Sequence, residues 1–457
     1  MLSSGIGAAR FQTPDKLQRR FELAPELLFL FSAGHLQARH ARHGIPHEVL
    51  SDRTNQAFAF WADPEPELGA RLKRLSLPAG TWLPWSPGDR VASVLAEHLP
   101  SYDAYAQSQA VRGEQRFGRD ALLASLQRDL EAHDAVGVYG LRKIGKTSLV
   151  YGLGERHALS EAVSGESGWR VVYADAQYFL DEGEGIPALC DRLSEGFDKR
   201  RSVRTVRDFR RMLEAEIHRG ATPCLIVDEF DWLITHESYK SKIVEFLAMV
   251  RGLVQTFPGR SKWVFVGREP SLLNGPRLYG FPNPMLNFWR PFWVPPLSRE
   301  DAGELLRVLG RRMGLDVGHL SKKQSYRLTY GHPHLTRLYG SQLARLTAAG
   351  PHADPERNRP TDPYAESACK VFLRSDEVKN WSVEVFDLLD GFHASAGALL
   401  TTLAGSRDLL GDWQAAQEIH DDEARLLESF GLVEGTSGEV PEVLRTHVAR
   451  YRTRGAA

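Results

Sequence analysis

The segment GLRKIGKT (Gly140–Thr147) fits the pattern G-x-x-x-x-G-K-[ST]. Its glycines let the backbone bend, so that the N–H groups of Gly140, Leu141, Arg142, Lys143, Ile144 and Gly145 can point at phosphate oxygens. Lys146 is placed to reach the β- and γ-phosphates of a nucleotide, and the Thr147 hydroxyl to bind magnesium. The helix that starts near Lys146 and runs on through Ser148 adds the positive end of its dipole. A glycine-rich turn into a helix is the plain alternative. Against it, an apolar strand, AVGVY, enters the loop and the helical SLVYGLGERHAL leaves it. Gly140–Ser148 is therefore the expected site for ATP and Mg2+.

CLIVDEFDWL supplies a second constellation. Asp228 and Glu229 end an apolar run that reads as a buried strand, at the edge where open α/β sheets bind ligands. Asp228 is expected to hold Mg2+ beside Thr147. Glu229 is expected to orient or deprotonate the attacking water, which makes it the candidate catalytic base. Asp231 reads as a helix-start residue. No NKxD-like guanine-reading segment follows the pair, which leaves adenine as the default base only.

These residues need a frame, and the chain offers one over residues 111–297. AVGVYG (Ala135–Gly140), RVVYADA (Arg170–Ala176), PCLIVDE (Pro223–Glu229) and KWVFVG (Lys262–Gly267) are short, near-continuous apolar runs. Parallel strands covered by helices on both faces have that composition. Amphipathic stretches such as Val206–Gly220 and Lys242–Phe257 lie between them. In residues 1–110, Glu26–Ser32 and Gln56–Ala62 read as strands, with Pro66–Leu77 and Asp89–Leu99 as helices, giving a small α/β module. From Ser298 the pattern turns helical, with Ser298 and Asp301 spaced as a cap. Proline-rich residues 351–363 read as a linker to a mostly helical segment over 364–457.

Bulk properties set the outer limits. A chain of 457 residues predicts roughly two to four domains. With 42% hydrophobic and 25% charged residues and a net charge of -1, no global pull towards nucleic acid or membrane exists. Three dispersed cysteines, Cys190, Cys224 and Cys369, exclude a disulfide framework and a thiolate zinc site and fit a reducing cytoplasm. No apolar run approaches the roughly 18 residues of a membrane span, and no secretory-type stretch opens the chain, so a cytoplasmic location is expected. His35, His40, His43 and His47 cluster without a metal-binding pattern, and Lys199–Arg211 reads as a solvated charge run.

The same motifs resemble those of STAND-type and archaeal-ATPase-like P-loop ATPases of the AAA+ superfamily, over roughly residues 111–350. VYGLRKIGKTSLV and LIVDEFDWL carry the likeness. RFGRDALLASL (Arg116–Leu126) resembles the Phe-Gly-Arg entry motif, which implies that Phe117, Gly118 and Arg119 lie beside the adenine. KWVFVGRE ends in Gly267–Arg268 where such proteins place a polar or arginine sensor, which implies a catalytic role for Arg268 at the γ-phosphate. NFWRPFWVPPLSREDAGELL resembles the segment into a helical lid, and YGHPHLTRLYG (Tyr330–Gly340) its Gly-x-Pro motif, which implies Pro333 near adenine. Arg277 and Arg290 are candidate arginine fingers or partners of carboxylates. Asp421–Gly435 resembles the last helix and turn of a winged-helix domain, which implies either packing against the nucleotide domain, the favoured role, or contact with DNA.

The resulting expectation is an AAA+-like core at 111–297, a lid at 298–350, a winged-helix-like domain at 364–457 and the N-terminal module at 1–110. It implies a slowly hydrolysing ATP switch that binds ATP/ADP and gates a protein partner, an effector or its own self-association, in antiviral defence or signalling. The alternatives are a loader or origin-recognition-like ATPase that contacts DNA through the winged helix, and an N-terminal catalytic effector under ATPase control.

Overall fold

The computed structural model describes residues 6–12, 26–32, 57–61, 82–84, 103–106, 110–111, 116–164, 168–181, 185–198, 202–235, 239–268, 275–350 and 357–454, with positions 15, 17, 19 and 99. The helices expected over Pro66–Leu77 and Asp89–Leu99 and the histidine cluster lie outside the described residues, Leu99 excepted. The chain divides into two compact units. One comprises Met1–Gln109, Leu297–Glu384 and Pro441–Ala457, and the other Ala110–Pro296 and Val385–Val440.

The N-terminal strands are β1 (Ile6–Gln12), β2 (Glu26–Ser32), β3 (Ala57–Trp61) and β4 (Trp82–Pro84), hydrogen-bonded in chain order. β1 runs antiparallel to β2, while β2, β3 and β4 are parallel. The two strands read from the sequence here are β2 and β3.

The second unit is built on β5 (Ala135–Tyr139), β6 (Arg170–Asp175), β7 (Pro223–Asp228), β8 (Lys262–Val266) and, after the short β9 (Arg277–Leu278) and β10 (Phe281–Pro282), β11 (Arg290–Trp293). The order is β11-β5-β8-β7-β6, and every pairing is parallel. β5, β7 and β8 are buried at every position, which is why their sequences are unbroken apolar runs rather than alternations. Helices α1 (Asp120–His133), α2 (Lys146–Ser164), α3 (Ala176–Asp181), α4 (Gly185–Glu195), α5 (Val206–His218), α6 (Phe230–Thr235) and α7 (Lys240–Thr256) join the strands. Trp263 and Phe265 on β8 stack at 6.2 Å, with Phe246 of α7 edge-on to Trp263 and Phe230 of α6 against Phe265. Because all five strands run the same way, β5, β7 and β8 deliver their C-terminal loops to one edge.

In the first unit, α8 (Arg299–Arg312), the two-residue β12 (Leu315–Asp316), α9 (His319–Thr329) and α10 (Pro333–Ala349) follow. Ser298 caps α8 by accepting the Asp301 N–H, as its spacing predicts. Residues 359–364 depart from the linker expectation. Arg359–Pro360 forms β13 beside β12, and Asp362 accepts the Leu320 and Ser321 N–H groups at the start of α9. A carboxylate there satisfies helix donors that Gly318, the N-cap residue, cannot.

Residues 103–106 are held in this unit by Tyr105, which is 1% exposed. Its hydroxyl donates to the Leu306 carbonyl at 2.7 Å, and Ala104 N–H meets the Met313 sulfur. A Cβ at Gly340 would stand 2.6 Å from the Tyr105 ring and one at Gly310 2.8 Å from its hydroxyl. The glycines leave a slot between α8 and α10 that the tyrosine fills.

The chain continues through α11 (Ala365–Arg374), α12 (Asp376–Phe392), α13 (Ala394–Gly405), α14 (Leu409–Ile419), α15 (Asp421–Ser429) and α16 (Glu442–Arg454). α13–α15 belong to the second unit, where Phe430 packs edge-on against Trp293 of β11 at 4.9 Å and Gly431 abuts Pro296. Among the described residues no helix is long and apolar enough to cross a membrane.

The Tyr105 slot gives a first expectation. Tyr105→Ala leaves a large cavity and should cost about 3–5 kcal/mol, whereas Tyr105→Phe loses one hydrogen bond worth about 1 kcal/mol. Hydrogen exchange across 299–349 of the full chain checks the ranking, and equal protection in the two variants would rule it out.

Candidate functional site

The phosphate loop begins where β5 ends. Gly140 has φ +148°, Lys143 φ +61° and Gly145 φ +103°, so three loop residues hold positive φ. Nothing lies within 4 Å of a Cβ built at Gly145. Glycine is needed there for its backbone angle, not for room. The loop is anchored at several points. Gly140 N–H donates to the Arg268 carbonyl, Ile144 N–H to the Leu141 carbonyl, and Leu149 N–H to the Gly145 carbonyl. The Lys146 ammonium is buried and donates to the Gly140 and Leu141 carbonyls at 2.9 and 3.0 Å. Burial holds its pKa below the ordinary lysine value, against the opposing pull of Glu229, Asp231 and Asp228. Arg142 and Lys143 are exposed.

Asp228 ends β7 and is 2% exposed. Its Oδ2 accepts the Thr147 hydroxyl at 2.7 Å and the Tyr173 hydroxyl at 2.9 Å, while Oδ1 accepts the Glu229 N–H at 2.9 Å. The helix that follows the phosphate loop is thus tied to β7, which lies two places from β5 in the sheet, across β8. Glu229 sits at φ +51°, a left-handed angle that a glutamate adopts only under constraint, at a cost of about 1–3 kcal/mol. Burial raises its pKa; Lys146 opposes the rise, and Asp228, Asp231 and Asp175 reinforce it.

Arg268 follows β8, which lies between β5 and β7. Its guanidinium pairs with Asp231, Nε to Oδ2 at 2.8 Å, and its N–H reaches Asp231 Oδ1 at 3.3 Å. Asp231 is therefore more than the helix-start residue its position suggests. Gly267 makes the pair possible, because a Cβ there would stand 2.5 Å from Asp231 Oδ1.

Other expected residues fall as follows. Phe117 is half-buried and Gly118 takes φ +62° before α1. Arg119 is 6% exposed and donates to the Pro295 and Ile144 carbonyls at 2.8 and 3.1 Å, clamping the phosphate loop to the end of β11. Ser148 accepts the Val111 N–H. Arg277 and Arg290 are exposed on β9 and β11. Gly331, His332 and Pro333 belong to the first unit, where His332 is the N-cap of α10 and Pro333 its first residue. A Gly331 Cβ would meet the Leu297 carbonyl at 2.1 Å, so this motif builds a helix start.

Two tyrosines escape the sequence reading. Tyr173 is two residues before the end of β6 and Tyr151 one turn after Thr147 on α2; their rings meet edge-on at 4.8 Å. Burial, then the Asp228 charge, pushes the Tyr173 phenol far above its ordinary range, so it stays a hydrogen donor. The four-residue spacing of Thr147 and Tyr151 marks a shared helix face. That β6 is the strand beside β7 is not legible in the sequence.

The strand order, with a phosphate loop and an acidic pair on one edge, is an AAA+-like parallel-sheet fold. A Walker-type ATPase of Pyrococcus abyssi shares it at a TM-score of 0.51 and 17% identity, over 76% of this chain and 99% of that one. The ORC2 protein of Aeropyrum pernix in its ADPNP-ADP complexes gives 0.42 and 11%, over 78% and 98%. The Aeropyrum pernix ORC1 protein in complex with DNA gives 0.39 and 13%, over 77% and 97%. The first carries the likeness of fold. No protein-family model matches the sequence, and no curated protein matches it significantly.

Glu229 has a measurable consequence. Its folded pKa is raised, so the native state holds more protons than the unfolded one, and stability falls as pH rises above the ordinary glutamate range. Glu229→Gln should therefore be more stable than the parent near about pH 8, with the difference closing near about pH 4. Thermal melts of the two proteins at both pH values check this. A glutamine variant less stable at the higher pH would contradict it.

Proposed function

We propose that this chain binds ATP with Mg2+ at Gly140–Thr147, hydrolyses it slowly, and uses the nucleotide state as a switch that gates a protein partner or its own self-association. The observation that carries the reading is the Thr147 hydroxyl seated on the Asp228 carboxylate beside a buried Lys146 ammonium.

The residues fit the groups they would hold. A hydroxyl and a carboxylate are the hard oxygen donors that magnesium prefers. Among the described residues no group of three or more His, Cys, Asp or Glu forms a metal site, so Thr147 and Asp228 would be the protein's share beside phosphate and water oxygens. Magnesium, when bound, neutralises charge on the phosphates. Lys146 now donates to two neutral carbonyls, and phosphate oxygens offer the same ammonium charged and stronger acceptors. Burial raises Glu229 towards the range in which a carboxylate is an effective base at neutral pH. Its left-handed backbone, fixed by the N–H bond to Asp228, holds the carboxylate's origin in place.

Packing of Phe430 on Trp293 and of Gly431 on Pro296 supports the reading in which the C-terminal, winged-helix-like segment braces the nucleotide domain. Arg268, held by Asp231 and 40% exposed, is the group we assign to sensing the γ-phosphate.

Lys146→Ala should abolish measurable ATP binding while the fold persists. Glu229→Gln should bind ATP normally and turn over about 10²–10⁴-fold more slowly. Nucleotide titration with single-turnover phosphate release tests both, and normal turnover in Glu229→Gln would remove its role as base. The switch is tested separately. ATP and ADP should give different hydrogen-exchange protection across 298–350, and Arg268→Ala should erase the difference while still binding nucleotide. Equal protection by both nucleotides in the wild type would end the switch reading, and DNA binding lost with α13–α16 would replace it with the loader.

A further inference from the structure

Two half-buried tyrosines behind Asp228, Tyr173 and Tyr151, have no part in the function proposed for the site. Asp228 accepts three donors, two of them on Oδ2 from different elements: Thr147 on α2 and Tyr173 on β6. The Glu229 N–H fixes Oδ1. An aspartate carboxylate rotates easily about its last bond, so its plane is set by its donors. In the register of the sheet, Tyr173 stands opposite Ile226, two residues before Asp228, so its ring spans the remaining length of β7 to reach the carboxylate. Tyr151, one turn beyond Thr147, packs edge-on against that ring and shares a hydrogen bond with its hydroxyl.

We propose that Tyr173 is a positioning residue that sets the affinity of the nucleotide site for its divalent cation, an assignment that rests on reading Thr147 and Asp228 as the magnesium ligands. The Thr147 hydroxyl can turn its lone pairs towards a metal only while its proton has a fixed acceptor, and that acceptor is Asp228 Oδ2. Tyr173 holds Oδ2 in the position that aims Thr147. Without the phenol, Oδ2 keeps one donor, the carboxylate can swing about the Glu229 N–H bond, and both metal ligands lose their alignment together. Tyr151 acts one step further out, through Tyr173. Outer partners of metal ligands typically contribute about 10–100-fold in metal affinity.

Tyr173→Phe keeps the ring and its packing and deletes only the donor. Mn2+, as the spectroscopic probe, is titrated by electron paramagnetic resonance into the full chain saturated with ADP. ADP affinity is measured separately in EDTA. Tyr173→Phe should bind Mn2+ about 10-fold or more weakly while ADP affinity in EDTA is unchanged, and its ATPase KM for Mg·ATP should rise more than kcat falls. Tyr151→Phe should show a smaller loss in the same direction.

Wild-type Mn2+ affinity in Tyr173→Phe would overturn the proposal. So would a parallel loss of ADP binding in EDTA, which would mark general damage. Thr147→Ala and Asp228→Asn separate the underlying reading. If neither weakens Mn2+ binding, the metal ligands are misassigned and the phosphate-site reading fails with them. If both weaken it and Tyr173→Phe does not, only the positioning role falls.

Discussion

The hydrogen bond from Thr147 to Asp228 is the constraint around which the second unit is arranged. It joins the first turn of a helix to the end of a strand that is not its neighbour, so β8 must lie between them and all three strands must end level. The parallel order supplies that geometry, and the buried aromatic ladder of Trp263, Phe265, Phe246 and Phe230 keeps β8 from shifting. Arg119 does for the phosphate loop what Asp228 does for the helix. By clamping the Ile144 and Pro295 carbonyls it fixes the loop's far side to the edge strand.

The same edge gathers Asp175, Asp228, Glu229 and Asp231 around one lysine and one arginine. Burial is the main cause of the raised Glu229 pKa, and the neighbouring carboxylates add to it against the pull of Lys146. Each acid is held by a different device. Asp228 has three donors, Asp231 has Arg268 and room made by Gly267, and Asp175 accepts the Gln177 N–H at the start of α3. Of these four acids, Glu229 carries both a positive φ and a carboxyl pushed up by burial. Residues in that condition are found where chemistry needs them.

Much of this was legible in the sequence, for a physical reason. Phosphate loops need glycine at fixed offsets, and doubly covered strands need unbroken apolar runs, so Gly140–Thr147 and the four core strands announce themselves. What escaped was lateral. Strand order cannot be read from residues, so the Tyr173–Asp228 bond, which depends on β6 lying beside β7, left no signal. Arg268 is legible as a residue, but the carboxylate that holds it, Asp231, is brought to it only by the fold. The Gly-His-Pro motif shows the converse case: its spacing is accounted for by the start of α10, whatever Pro333 does with adenine. Asp362, in a stretch whose composition says linker, caps a helix that starts more than forty residues earlier, a relation only the folded chain reveals.

The Tyr105 slot bears on how the protein can be taken apart. Composition places the end of the N-terminal module near residue 110, but Tyr105 is a structural part of the helical layer formed by α8 and α10. A cut at 110 would remove a core side chain from the segment left behind, exposing Leu306, Gly310 and Gly340 to water. A cut before Asp103 would keep that plug in place. Any comparison of the chain with and without its first strands therefore measures the module's contribution only when residues 103–106 stay with the remainder.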